Sequence, residues 1–174
     1  MHVVGHFCAD FIEHQVCLSG VGLWASKTGT YLKQVAEVTS KKILSVCKDP
    51  RRVACWYVAQ NKLERLSVLC LNSQEPRLAA FFKRDFSKPE NQKAATDNAF
   101  AALGKGMITL AVAFYLLARQ PEQALRILLL RGPFSKESSW MLGALLIRLW
   151  SVTWEPDFRM LEQHSKSSSY QQQQ

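Results

Sequence analysis

DPRRVACWYVAQNK, residues 49–62, reads as one helix with its own start and stop signals. Asp49 can accept a hydrogen bond from the first turn, and Pro50 sits where a missing N–H costs nothing. Val53, Ala54, Trp56 and Tyr57 then form an apolar face, and Gln60 and Asn61 end the run. Leu63, Leu66 and either Leu69 or Cys70 mark a helix returning after a short turn. Helices joined by so few residues must pack as antiparallel neighbours.

The same grammar extends in both directions. Upstream, Leu32, Val35, Ala36, Thr39, Ile43 and Val46 recur at helical spacing, which predicts an amphipathic helix over 31–46. Downstream, Pro76 opens a helix with Leu78, Phe81, Phe82 and Phe86 on its apolar side and Lys83, Arg84 and Asp85 at its far end. Ser87 and Glu90 have capping-box spacing, with Pro89 inside the first turn. Ala94, Ala95, Asn98, Ala99, Ala102 and Leu103 line one face of the helix that follows, and Gly104 and Gly106 can close it in the left-handed conformation. Residues 107–119 and 122–130 form a further pair, broken at Gln120 and Pro121. Gly132 and Pro133 stop the second, and Ser135 or Ser138 can cap a last helix through Trp150. Strand signals are nearly absent.

Small residues (Ala95, Ala99, Ala102, Ala111, Ala113) let helices approach closely, and Trp56, Phe100, Phe114 and Tyr115 fill the gaps between them. No period of 20–50 residues repeats cleanly, so the expected fold is all-α, an irregular α-solenoid of antiparallel helix pairs. The expected division is a partly helical segment over 1–30, a helical domain over 31–152, and a short helix with a disordered polar tail over 153–174.

The three phrases DPRRVACWYVAQNK, FFKRDFSKPENQKAATDNAFAALGKG (81–106) and LAVAFYLLARQPEQAL (110–125) together resemble the helical C-terminal region of the RAVE complex large subunit. That family also includes the DmX-like proteins, or rabconnectins. The matching positions are Gly22 and Trp24 in an upstream VGLW, Asp49, Pro50, Trp56, Tyr57, Asp85, Phe86, Ala95, Asn98, Ala99, Phe100, Lys105, Phe114, Leu116 and Leu117. Asp97 stands where the family usually carries lysine. The resemblance covers about residues 20–131 and fades beyond Arg131. It implies a cytoplasmic scaffold, peripheral to vacuolar or endosomal membranes, that promotes assembly of the V-type proton-pumping ATPase. The implied partners are cytosolic-sector subunits of that pump and the other RAVE subunits, with no catalysis and no cofactor. Family members carry WD-repeat propellers before this region. This chain has no propeller pattern and is far shorter, as a fragment or trimmed homologue would be. An incomplete solenoid leaves an apolar end open, so self-association is expected.

Composition is compatible with that reading. Five cysteines, Cys8, Cys17, Cys47, Cys55 and Cys70, are odd in number and irregularly spaced, which argues for a reducing compartment. No basic leader precedes an apolar run at the amino terminus, so no secretory signal is expected. The longest apolar run, 107–118, is too short to cross a hydrocarbon core of roughly 30 Å. A formal charge of +8 admits a basic helical nucleic-acid binder as the alternative, and a helical-repeat trafficking adaptor is another. The basic residues, however, form small clusters (Lys41 and Lys42; Lys48, Arg51 and Arg52; Lys83, Arg84 and Lys88) separated by apolar helices. A solvated surface explains them.

Enzymatic motifs fail one by one. A phosphate-cradling loop around Lys27 would need glycine where Val21 and Ser26 stand. His2, His6, Cys8, His14 and Cys17 lack the paired spacing of a zinc site, and His14 with Cys17 alone is weak. Cys55 lies between Ala54 and Trp56 as an inert core thiol. Glu64, Glu75, Asp85, Glu90 and Asp97 fall at helix ends or on polar faces. Asn98, on the small-residue face, is expected to satisfy a backbone carbonyl of a neighbouring turn, with a partner contact as the alternative reading.

Overall fold

The computed structural model describes residues 29–132 and 136–154, and among them every element is an α-helix. In chain order these are α1 (Gly29–Cys47), α2 (Pro50–Ala59), α3 (Leu63–Asn72), α4 (Pro76–Phe82), α5 (Pro89–Gly104), α6 (Ile108–Leu117), α7 (Pro121–Arg131) and α8 (Lys136–Trp154). The segment 1–28 and the tail 155–174 lie outside the described residues, and with them Gly22, Trp24, the N-terminal histidines, Cys8, Cys17 and the phosphate-loop lookalike.

The start of α2 forms as its residues dictate. The Asp49 carboxylate accepts from the Arg51 N–H at 2.9 Å, and Pro50 occupies the first turn. Seven further residues, Val53 through Ala59, are buried without a break. A helix apolar on every side has to be enclosed on every side. Accordingly α2 packs against α1, α3, α6 and α8. Helix α6 is the other enclosed element, buried from Thr109 to Leu117. The two lie against each other, with α5 and α7 flanking α6. Most helices pack on their neighbour in sequence, which is consistent with a solenoid. The α2–α6 and α2–α8 contacts add packing between elements far apart in the chain.

The turns share one backbone device that the sequence reading missed. Helices start at residues 50, 63, 76 and 89 in equal steps, and the same step separates 108 from 121. Between them Lys48, Asn61, Gln74, Gly106 and Arg119 take positive φ, between 54° and 72°. After each of the last four, the next N–H reaches back over the helix end: Lys62 to Tyr57 O, Glu75 to Cys70 O, Met107 to Ala102 O and Gln120 to Tyr115 O, each at 2.9 Å. This is the Schellman closure, which satisfies carbonyls left over at a helix C-terminus. Only one of these left-handed positions is glycine, so the usual sequence marker for the turn is missing. Gly104, expected to share the role with Gly106, stays within α5 and has no positive φ.

Several local expectations need correction. Val46 is 39% exposed, because Cys47 takes the inward position at the end of α1. The capping box at Ser87 does not form, since α5 starts at Pro89 with Lys88 as its uncapped N-cap residue. Ser87 instead donates from both its N–H and its hydroxyl to Asp85 Oδ1, at 3.0 and 2.6 Å. Phe100 fills no gap between helices. It is 62% exposed and meets the Tyr115 ring in a T-shaped arrangement, with centroids 6.1 Å apart. The last helix runs on to Trp154; Ser138 lies inside it, and Ser135 is outside the described residues.

That last helix belongs to the core. Leu142, Leu145, Leu146, Leu149 and Trp150 are buried, and Gly143 lets α8 approach so closely that an added methyl would strike the Leu125 side chain. Trp154 donates from its indole N–H to Val58 O at 2.8 Å, tying the far end of α8 to α2. No helix among the described residues is long and apolar enough to cross a membrane.

Candidate functional site

The residues singled out from sequence fall into three structural groups. The first is packing. Trp56, Leu116 and Leu117 are essentially inaccessible, Ala95 and Ala99 are fully buried beneath α5, and Tyr57, Phe86 and Phe114 retain only slight exposure. Phe81, Phe82, Phe86 and Phe114 form one aromatic cluster, with Phe114 meeting Phe81 edge-on at 5.3 Å. Cys70 is buried in this interior, and burial pushes its thiol up to about 12, which removes its nucleophilicity at neutral pH.

The second group shapes turns. Asp49 caps α2 and also receives the Arg51 guanidinium at 3.0 Å, while another guanidinium nitrogen reaches Glu75 at 3.3 Å. One arginine thereby links the α1–α2 turn to the α3–α4 turn, and the Asp49 hydrogen bond chiefly raises its pKa. Asp85 organises the α4–α5 connection. Its side chain holds Ser87, which lowers the carboxyl below the usual range, and its carbonyl accepts from Asn91 Nδ2 at 2.7 Å. Phe86 O accepts from Gln92 Nε2 at 2.9 Å, so the entry to α5 is fixed by its own first residues. A parallel tie, unread in the sequence, centres on Glu37. It receives Lys41 and Lys62 at 2.8 Å each, which hold its carboxyl down at about 2.

The third group opens to solvent. A groove of about 490 Å³ lies between α4, α5 and α6. It gathers three positions of the sequence motif: Asn98 on one wall, Lys105 at the end of α5 and Phe114 in the floor. Leu78 and Phe81 extend the apolar floor, and Arg77 and Arg84 stand opposite Lys105 on the rim. The Arg84 guanidinium sits over the Phe81 ring at 5.0 Å, a cation–π contact that leaves its N–H donors available. Asn98 is half-buried, and its amide makes no hydrogen bond to a described residue, so the expected tie to a neighbouring carbonyl does not form. Arg77 escaped sequence reading altogether. The signal was present in Pro76 and Lys105, because a basic residue just after a helix start and another at a helix end can share one opening. Their separation along the chain conceals it.

Phe100 lines a second groove of about 590 Å³ with Tyr115, Ile127 and Leu130, flanked by Arg126 and Arg131. A depression of about 320 Å³ lies beside Arg51, Arg52, Thr109 and Arg131. Among the described residues no group of histidine, cysteine, aspartate or glutamate side chains is placed to hold a metal ion.

An all-α domain with a saturated apolar core, whose polar side chains fix turns and whose openings are shallow grooves, is a helical packing module. The chain belongs to the family described as RAVE protein 1 C terminal, whose model matches residues 2–131. The match begins well before the resemblance read from the motifs, at residue 2 rather than about 20, and like it ends at Arg131. Over 110 residues the chain is 32% identical to DmX-like protein 1 of Homo sapiens and 29% identical to DmX-like protein 1 of Mus musculus. The aligned segment is 63% of this chain and about 4% of each relative, so the chain corresponds to a small part of those proteins.

Proposed function

We propose that this chain is a non-catalytic scaffold segment that supports assembly of the V-type proton-pumping ATPase, acting in the cytoplasm at the face of vacuolar or endosomal membranes. Membership of the RAVE protein 1 C-terminal family carries the reading. The placement of its ionisable groups is in keeping with it. The buried thiol of Cys70 is held neutral, and the carboxylates of Asp49, Asp85 and Glu37 are committed to turns and inter-helix ties. The mechanism is contact: a rigid helical surface holds subunits of the pump and of the RAVE complex, raising their effective concentration for one another. Val38, Val68, Leu71, Phe100, Leu130 and Trp140 are exposed, and self-association through such residues belongs to the same proposal. A monodisperse monomer in sedimentation would remove that part.

The decisive test is a carboxyl-terminal tag at the native locus, mild purification and mass spectrometry of what accompanies the chain. Recovery of V-type ATPase cytosolic subunits is the expected result. Salt-sensitive recovery of nucleic-acid-bound proteins, without pump subunits, would replace the scaffold by the basic-binder alternative.

A further inference from the structure

We propose that the groove between α4, α5 and α6 is a docking site for an acidic peptide segment bearing an apolar anchor, a partner chemistry that deepens the scaffold reading and rests on it. The charge on its walls is one-sided. Arg51, Arg77, Arg84 and Lys105 line it against a single carboxylate, Glu75, and that carboxylate is already engaged by Arg51. Arg77, Arg84 and Lys105 are exposed on the rim and have no carboxylate partner among the described residues. Arginine forks match carboxylates with paired, planar hydrogen bonds, and the half-buried Asn98 amide adds a donor and an acceptor on the wall between them.

The floor distinguishes the occupant. Leu78 and Met107 are half-buried and the edges of Phe81, Leu110 and Phe114 reach the opening, so an apolar side chain finds contact between the cations. A nucleic-acid backbone presents phosphates but nothing to fill such a floor, and a membrane surface needs apolar groups that project, whereas these are recessed. Alternating carboxylates and aliphatic side chains satisfy both features. The enclosing elements are anchored: α6 is buried along its length, and the α3–α4 turn is closed by the Glu75 N–H on Cys70 O at 2.9 Å. Pre-organised sites of this kind hold affinity that flexible ones lose to ordering.

The test is a titration of the full chain into a fluorescein-labelled peptide of alternating Glu and Leu, followed by anisotropy. Arg77→Glu with Lys105→Glu is expected to weaken binding by about tenfold or more. Lys33→Glu with Lys42→Glu on α1, the same change in net charge at exposed positions, is expected to leave it unchanged. Circular dichroism establishes that both variants keep their helix content. Replacing Leu by Ser in the peptide is expected to weaken binding as well. Equal losses in the two protein variants, no binding of the Glu–Leu peptide, or no difference between the Leu and Ser peptides would each overturn the proposal. So would tighter binding, through Arg77 and Lys105, of a single-stranded oligonucleotide or of phosphatidylserine vesicles. Failure here with pump subunits still captured by the tagged chain removes only the groove. Peptide binding without pump capture removes the scaffold reading instead.

Discussion

Helices α5 and α6 pack directly against each other yet treat their residues in opposite ways. Helix α6 buries everything from Thr109 to Leu117, with no polar face. Helix α5 is longer and buries only Ala95, Ala99 and Ala102. One helix is the centre of the fold and the other is its cover. The alanines of α5 bring it close to α6, Ala94 and Leu103 pack at the edge of the core, and Lys93, Asp97, Phe100 and Ala101 are left for solvent or partners. A buried helix transmits damage to the whole domain, and a covering helix can change its outer face without cost. Stability and recognition are therefore divided between two adjacent elements, and substitutions on each should separate them.

The largest effect belongs to α6. Phe114 is buried among Phe81, Phe82 and the base of the groove. Phe114→Ala removes the centre of that cluster and should cost about 3–5 kcal/mol. Urea unfolding measures it, and a loss below about 1 kcal/mol would show that the aromatic cluster does not carry the core. Next comes the seam. Ala99 has no exposed surface, and Ala99→Leu should overpack the α5–α6 contact at about 1–3 kcal/mol. Wild-type stability in that variant would place Ala99 away from the seam and undo the division between the helices.

Much of this was legible in the sequence. Apolar periodicity located α1, α2 and α5, a continuous apolar run broken at Gln120 and Pro121 located α6, and Asp49 with Pro50 fixed a boundary to the residue. What periodicity conveys poorly is the direction of a large apolar side chain near a helix end. Val46 and Phe100 both look like core by type, and both face outward because a neighbour one or two places away takes the inward position. The turns were hidden for another reason. Lys48, Asn61, Gln74 and Arg119 adopt a backbone usually marked by glycine, so the equal spacing of helix starts had no obvious letter to announce it. The groove was half-visible: Asn98, Lys105 and Phe114 were singled out, but Arg77 and Leu78 come from a helix whose approach only tertiary packing reveals.

Acid should loosen the cover before the centre. Asp85 is held below its ordinary range by hydrogen bonds from Ser87, and it sets the entry to α5. A depressed carboxyl contributes stability that is complete above its unfolded pKa and is lost as pH falls through the lower folded value. Asp85→Asn should lower stability at neutral pH and flatten the acid limb of the stability curve, so that variant and wild type converge below about pH 4. Thermal midpoints across that range check it. An unchanged acid limb would mean that the Ser87 contacts do not persist in solution.

The smallest expected effect is the sharpest probe of the comparison. Phe100 sits one position from the fully buried Ala99, and it is 62% exposed, in T-shaped contact with the Tyr115 ring. If α5 is a cover with its partner-facing side outward, Phe100→Ser should change stability by no more than about 0.5 kcal/mol, as surface substitutions do. Its consequence should appear in association, because an exposed aromatic beside Leu130 and Ile127 offers a contact point for a partner or a second copy. Sedimentation of wild type and variant side by side tests this, with the variant expected to self-associate less. A loss of about 2 kcal/mol or more, of the size seen when buried aromatics are cut away, would mean that Phe100 turns inward in solution and that α5 contributes to the centre it was thought only to cover.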